Sequence, residues 1–483
     1  MFKNTLDNKR YYTLNYYYKK KYGEKVFKVS LNAGFSCPNI DGTKGYGGCI
    51  YCSHGSGNYY EKKTDLLTQY NEVKEVLHKK WPKAKYIGYF QANTNTYAPA
   101  SVLKEKFELI LKQENVIGLN IATRPDSISD EVLEYLKDLN KRTDLVIELG
   151  LQTIHEKTAK LINRGSTLKE FEECLKKLNE NNIDVVVHII NGLPYETKEM
   201  MIETVKYLSN KKILGLKIHM IHILKNTKLN ELYEQEKFHV LSKEEYVNIV
   251  CDQLENLNEN IVINRITGDP DKDELVEPTW LTKKFGVLNE IDKELKRRNT
   301  YQGFNKSILN KVKQICENNL KQNDLAIDMT SGNGNDMLFL SSILTKGHVF
   351  GFDIQEKAIL NSKKLLKENN ITNYTLFKEN HENVNKVLKN YKNKISLILF
   401  NLGYLPSSNK KILTKSTSTL NALKESFELL NNKGIILMVF YPHEEGKKEE
   451  KVVKDYLNKE KIKYNEYHNT DNVNSPFLIE IKR

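Results

Sequence analysis

At 483 residues the chain exceeds what one ordinary domain holds, so two or three compact units with full cores are expected. Its 74 Lys+Arg against 62 Asp+Glu give a net charge of +12 and a pI near 9.0, a balance that suits a polyanionic partner such as RNA or simply a lysine-rich surface. Met1 to Arg10 lacks the apolar core of a signal peptide, and no stretch approaches the roughly 20 apolar residues of a membrane helix, so no membrane partner and a cytoplasmic location are expected.

The N-terminal run Tyr11-Tyr-Thr-Leu-Asn-Tyr-Tyr-Tyr18, followed by Lys19-Lys-Lys21, mixes rings and cations as base-stacking surfaces do. The preferred reading is an aromatic helix packed under a barrel with its lysines solvated. Alternation from Val26 predicts a strand, Lys25 to Leu31, that leads into the loop Phe35 to Cys52. That loop holds Cys37, Cys49 and Cys52. Thiolates are soft ligands that select iron–sulfur clusters or zinc, and three of them leave one position for an outside ligand. A structural zinc site completed by His54 is the competing account, although such sites take four ligands at tighter spacing. Cys174, Cys251 and Cys316 stand alone in helix-like surroundings, which argues against a disulfide framework and against a second cluster.

A helix from Leu66 completes a first strand–loop–helix unit, and similar units follow. Strands are predicted at Tyr86 to Phe90, Val116 to Ala122, Leu145 to Leu151, Ile183 to Ile190 and Ile213 to Ile223, with helices from Val102, from Asp130 and near Glu156 and Leu168. Repeated βα units with apolar strands imply a parallel sheet closed or partly closed as a barrel, whose active site lies at the strand C-termini. Polar segments fall at those ends: Gln91 to Tyr97, Thr123-Arg-Pro-Asp126, Glu148 with Gln152, and Asn191 to Glu196. His219 and His222, three apart on the sixth strand, should face opposite sides, and core histidine is the preferred reading for each. A loop-like segment with two prolines follows Asp269, then a helix-like stretch to Arg298; the phasing restarts near Tyr301, which divides the chain into residues 1–300 and 301–483.

Cys37-Pro-Asn-Ile-Asp-Gly42, Gly47-Gly-Cys-Ile-Tyr-Cys52, Thr94-Asn-Thr-Tyr-Ala-Pro99, Thr123-Arg-Pro-Asp126, Glu148-Leu-Gly-Leu-Gln152 and Gly192-Leu-Pro194 resemble, in order, the motifs of radical S-adenosylmethionine (SAM) enzymes near the Elongator catalytic subunit. The resemblance spans roughly Lys9 to Arg298. It implies an α/β fold with a partial (β/α)6 barrel and a 4Fe–4S cluster held by Cys37, Cys49 and Cys52, with SAM on the open iron and an electron donor as partner. Tyr51 is similar in position to the aromatic against the adenine. Thr94 and Asn95 occupy the strand end that meets the methionine amine, and Glu148 and Gln152 fall where polar groups meet the ribose. Tyr195 stands where relatives often have Gly, and Ser166 where they often have His.

In the second half, the buried strand Leu325 to Asp328, the turn Thr330-Ser-Gly-Asn-Gly-Asn-Asp336, a helix, and the strand Val349 to Asp353 form a nucleoside cofactor pattern. The turn lets backbone approach a ligand, and the acid about twenty residues on can take ribose hydroxyls. The turn lacks dinucleotide spacing, which favours SAM. Further strands are predicted at Tyr374 to Phe377, Ile395 to Phe400, Ile435 to Phe440 and Phe477 to Ile481. Asn401-Leu-Gly-Tyr-Leu-Pro406 is similar to the Asn-Pro-Pro-Tyr motif of amine methyltransferases, in which carbonyls orient an amine. An alkylamine of pKa about 10.4 must also lose a proton, at roughly 4–5 kcal/mol at pH 7. His443 is the first candidate base, with a surface loop histidine as the alternative. Asn401, Tyr404 and His443 are the candidate catalytic residues.

From Phe304 to Arg483 the chain resembles the small Rossmann-like class I methyltransferases of 5-aminomethyl-uridine at the tRNA wobble position, through Asp328, Gly332-Asn-Gly334, Phe352-Asp-Ile-Gln355, His381-Glu382, Asn401 to Pro406 and Asn474-Ser-Pro-Phe477. The likeness implies a second SAM site that includes Asp328, Gly332, Asn333, Asn335, Asp353, Gln355, Asn380 and His381. Together the two resemblances lead to an expected bifunctional tRNA enzyme: the barrel converts 5-carboxymethylaminomethyl-uridine to the 5-aminomethyl form and the second half methylates that nitrogen. Two alternatives stay open. One is a radical enzyme on another RNA or small molecule fused to an rRNA methyltransferase; the other is a zinc-binding module on an inactive Rossmann scaffold.

Overall fold

The computed structural model describes residues 9–53, 64–402, 414–468 and 475–483. The chain divides into two compact units, Met1–Phe304 and Asn305–Arg483.

The first unit contains β1 (Val26–Leu31), β2 (Lys85–Phe90), β3 (Val116–Thr123), β4 (Asp144–Gln152), β5 (Asp184–Asn191), β6 (Gly215–Met220), β7 (Ile223–Leu224), β8 (Val262–Arg265) and β9 (Leu275–Glu277). Strands β1-β2-β3-β4-β5-β6-β8 form one curled, wholly parallel sheet in that order, with β1 and β8 at its edges and a parallel bridge from Thr13 to Ile263 of β8. This is the expected partial barrel, extended by β8. Four residues are too short for a periodic signal, and only pairing with β6 reveals that strand. The segment read as a loop holds β9, which pairs with β7.

Alternation along the strands separates two environments. In β4, Leu145, Ile147, Leu149 and Leu151 are buried in the core shared with the outer helices, while Glu148, Gly150 and Gln152 face a cavity on the concave side. Each fully buried aliphatic side chain contributes about 1.5–3 kcal/mol. The helices start where side chains cap them: Asp65 accepts from the Leu67 amide at 2.8 Å before Leu66–Lys80, and a Thr167/Glu170 capping box opens Leu168–Glu180. The aromatic helix Leu14–Tyr22 lies against the N-terminal ends of the strands, beside Asp144, Leu214 and Val262, and Lys19, Lys20 and Lys21 are exposed. The packed reading of the tyrosine run therefore holds, at the sheet end opposite the cysteine loop.

The second unit is built on β10 (Leu325–Asp328), β11 (His348–Asp353), β12 (Tyr374–Lys378), β13 (Ile395–Leu402), β14 (Leu430–Phe440), β15 (Tyr464–His468) and β16 (Phe477–Lys482). Their order is β12-β11-β10-β13-β14-β16-β15, with β16 antiparallel to both neighbours and the other pairs parallel. The strand order reverses at β10, between β11 and β13, the switch point where such sheets bind ligands. Two apolar clusters cover the sheet.

Candidate active site

Cys37, Cys49 and Cys52 follow β1, and all three line a cavity of about 700 Å³ at the C-terminal ends of the strands, a volume within the usual range of ligand sites. Gly47 and Gly48, at φ +77° and +72°, supply the left-handed backbone that turns the chain into Cys49. The Ile40 amide donates to the Cys37 carbonyl at 2.8 Å and the Cys52 amide to the Cys49 carbonyl at 2.9 Å. Asn163 donates to the Gly48 carbonyl at 2.7 Å, and Asn39 donates to the Asn163 carbonyl at 2.6 Å while lying 3.8 Å from the Cys49 sulfur.

All six cysteines are free thiols. The hydrogen bond from Cys52, with further help from Tyr51, Arg124 and Asn39, pulls Cys49 down to about 6 against its burial. Burial instead pushes Cys174, Cys251 and Cys316 up to about 12. Among the described residues no three His, Cys, Asp or Glu side chains converge closely enough to hold a single metal ion. A four-iron cube takes each thiolate at a different iron and needs no such convergence, so these donors fit a cluster. His54, the fourth ligand of the zinc account, lies outside the described residues.

Arg124 grips Asp126 through two bonds of 2.9 and 2.7 Å and donates to the Arg164 carbonyl at 2.7 Å. Burial opposes the Asp126 charge, but the Arg124 fork and Lys44 hold it below the usual carboxylate range. Arg164 in turn ties the Leu151, Thr153 and Ser166 carbonyls, each at 2.7 Å. Tyr51, Thr94, Glu148, Gln152 and Ser166 line the cavity. Gln152 has φ +65° beside a register shift in the β4–β5 pairing, which turns its side chain inward. The Asn95 amide bridges the Phe90 and Ala122 carbonyls at 3.1 and 2.9 Å, behind the cavity wall. Tyr195 has φ +63°, the backbone for which glycine is suited.

Glu148 accepts from Lys28 at 2.9 Å, Asn120 at 2.7 Å, His188 at 2.8 Å and Lys217. Those four donors fill the acceptor sites of a carboxylate and make Glu148 the counter-charge of the barrel interior. Burial disfavours its charge, yet Lys217, Lys28 and His188 hold it well below the usual range. Burial lowers Lys217 to about 7 and His188 to about 4. Lys28, His188 and Lys217 escaped the sequence reading, although a charged residue inside the apolar strand Gly215-Leu-Lys-Ile-His-Met220 was a usable signal.

The histidine expectation needs correction. Strand β6 ends at Met220, so the pleat does not carry through to His222, and both His219 and His222 line the cavity.

In the second unit Asp328, Gly332, Asp353 and Asn401 come together at the switch point. Asp353 accepts from the Gly332 amide at 3.0 Å and the Gln355 amide at 2.8 Å. Asp328 accepts from the Thr330 amide at 3.1 Å, while its other oxygen is buried without a partner. Burial, then Asp336 and Asp353, raise Asp328 well above the usual carboxylate range. Asn401 donates to Asp336 at 3.1 Å, and its backbone amide and carbonyl meet the Thr330 hydroxyl at 2.9 and 3.1 Å. Asn333 accepts from Asn361 at 2.9 Å, Asn335 opens the helix Asn335–Ile343, and Asn380 donates to Glu382 at 2.6 Å. His381 is buried, packs edge-on to Phe400 and leaves Nε2 without a partner.

His443 caps the helix Glu444–Lys459, its Nδ1 accepting from the Gly446 amide at 2.8 Å. With that lone pair engaged, the neutral ring carries its proton on Nε2. The ring is thus placed as a donor, in contrast to the base expected of it. Tyr404 and Asn474 lie outside the described residues. The mutual influence of Asp328, Asp336 and Asp353 suits a cationic cofactor such as SAM, which would favour their ionised forms. Among the described residues no helix is long and apolar enough to cross a membrane.

Comparison with known proteins follows this division. Residues 43–208 match the family model of the Radical SAM superfamily, residues 213–297 that of the Radical_SAM C-terminal domain, and residues 349–481 that described as "Putative rRNA methylase". The uncharacterized protein YtqA of Bacillus subtilis is 49% identical over 297 residues, 61% of this chain and 92% of that protein. The chloroplastic tRNA (mnm(5)s(2)U34)-methyltransferase of Arabidopsis thaliana is 34% identical over 155 residues, 29% of this chain and 56% of that one. Elongator complex protein 3 of Saccharomyces cerevisiae is 25% identical over 258 residues, 44% of this chain and 45% of that one. The first half thus belongs to the radical SAM superfamily and the second matches a methylase model, which makes the chain an enzyme rather than a zinc module on an inactive scaffold.

Proposed function

This chain belongs to the radical SAM superfamily and carries a methylase-like second unit, and from that premise we propose that it is a bifunctional tRNA wobble-uridine modification enzyme. The first unit converts 5-carboxymethylaminomethyl-uridine to 5-aminomethyl-uridine, and the second methylates the exposed amine. The observation that carries this reading is the fusion itself: a three-cysteine cavity on one chain with a unit related to a methyltransferase named for the mnm(5)s(2)U34 modification of tRNA. The net charge of +12 suits an RNA substrate.

When bound, a 4Fe–4S cluster supplies one electron to SAM for C–H activation, and a second SAM in the other unit supplies a methyl group. Cys37, Cys49 and Cys52 would hold the cluster, and Tyr51, Thr94 and Gln152, on the same wall, would meet the first SAM. Asn163 and Asn39 tie the loop to the segment around residue 163, and Arg124 and Arg164 order that segment and the end of β4 through their carbonyls. In the second unit Asp328, Gly332, Asp353 and Gln355 would receive the second SAM, with Asn333, Asn335, Asn380 and His381 around them. Asp336 holds the Asn401 amide nitrogen, which turns the Asn401 carbonyl oxygen toward an incoming amine and orients its lone pair.

Mass spectrometry of tRNA nucleosides from a deletion strain tests the reading. Loss of the methylaminomethyl wobble uridine is expected, and unchanged wobble uridines would overturn it. Asp353→Asn should accumulate the unmethylated amine, and Cys49→Ser should block the pathway one step earlier.

A further inference from the structure

The register that builds the half-barrel also aligns a row of basic side chains. His188 on β5 lies opposite Lys217 on β6, and Lys217 opposite Arg265 on β8. An irregularity in the β6–β8 pairing passes over Asn264, which brings Arg265 rather than its neighbour into that row. All three line the cavity, as do His219 and His222.

The charges on this wall do not balance. Glu148 serves Lys28, Lys217 and His188 at once. Arg265 has no hydrogen-bond or ion-pair partner among the described residues. His219 and His222 each bury an Nε2 without a partner. Burial, followed by His188, Arg265 and Lys217, holds His219 well below the usual imidazole range. Burial and then Arg265 lower His222 to about 4, with Asp269 opposing. Both Nε2 atoms are closed to solvent, that of His222 against Gly268, so the rings flank the Arg265 guanidinium, whose own donors are uncommitted and can pair with an anion.

The remaining acids of the cavity are Asp269, Asp271 and Glu274, the first two exposed. Those acids repel any anion, but the repulsion grows with the number of charges, so they disfavour a close run of phosphodiesters more than a single carboxylate on a base substituent. We propose that Arg265, flanked by His219 and His222, is the carboxylate-binding residue for the carboxymethylamino arm of the substrate uridine. The assignment rests on the wobble-uridine reading and names how its substrate is told from its product, which has lost that carboxylate.

Equilibrium binding to the full, cluster-reconstituted chain tests it, with an anticodon stem-loop RNA that carries either 5-carboxymethylaminomethyl-uridine or its neutral carboxamide analogue. Wild type should prefer the carboxylate RNA by about ten- to hundred-fold, the range of a charged hydrogen bond. Arg265→Gln should erase that preference and leave the carboxamide affinity unchanged, and Arg265→Lys should keep part of it. Equal weakening of both RNAs by Arg265→Gln would make Arg265 a phosphate contact or a scaffold residue and overturn the assignment. Weaker binding of SAM alone would also overturn it, as would an undiminished preference. If wild type converts the carboxylate RNA while Arg265→Gln keeps the preference, only the Arg265 assignment falls. If wild type neither discriminates nor converts either RNA, the wobble-uridine reading falls with it.

Discussion

Glu148 accepts hydrogen bonds from Lys28 on β1, Asn120 on β3, His188 on β5 and Lys217 on β6, so one buried carboxylate joins four strands of the sheet. Substituting Glu148→Gln leaves Lys28 and Lys217 facing each other without a counter-charge. Breaking a buried pair from one side costs about 3–5 kcal/mol, and urea unfolding should register a loss of that size. Lys217→Met in the Glu148→Gln background should recover at least about 1 kcal/mol of it, because the two residues are directly coupled. A double variant no more stable than the single would show that the charges are not what Glu148 supplies. Glu148 was visible in the sequence as a polar residue in an apolar strand, but its partners come from segments up to 120 positions away. No local pattern could name them.

At the scale of elements, both candidate sites depend on short glycine-bearing connections after a strand. In the second unit Gly334 has φ +85° and opens the helix Asn335–Ile343; a Cβ there would stand 2.8 Å from the Ser362 Cα. Gly334→Ala should therefore destabilise the unit by about 2–4 kcal/mol, from left-handed backbone strain plus overpacking. Tryptophan-free probes such as backbone dichroism in urea would read the loss, and retention of full stability would show that the turn can relax. The glycine turn, the cysteine loop and most strands were legible because each is a local pattern of a few residues. Strand β15 was not, since its Tyr464-Asn-Glu-Tyr-His468 is half-buried or exposed throughout and lies at the sheet edge with no apolar alternation. Strand β8 and the β7–β9 pair were hidden for the simpler reason of length.

For the whole molecule, acid should act on both units. Burial lowers His188, His222 and His381 to about 4 from an ordinary 6.5. Between those values the unfolded chain binds protons that the folded chain does not, so stability is present above about pH 6.5 and is lost as pH falls toward 4. Each such histidine contributes about 1.4 kcal/mol per pH unit inside that window. Thermal unfolding at pH 7.5, 5.5 and 4.5 should show melting temperatures that fall with pH, and His381→Asn should flatten the second unit's share; a flat profile in the parent chain would contradict the burial of these rings. By itself the sequence determined the two α/β units, the thiolate loop and the glycine-turn-plus-acid pattern, because local spacing and alternation carry those features. Only the tertiary structure decided that β8 joins the sheet, that His219 and His222 both reach the cavity, and that His188, Lys217 and Arg265 form one row. Those outcomes depend on strand register and on a register shift between segments far apart in the chain, and such pairing is set by the packing of the whole sheet.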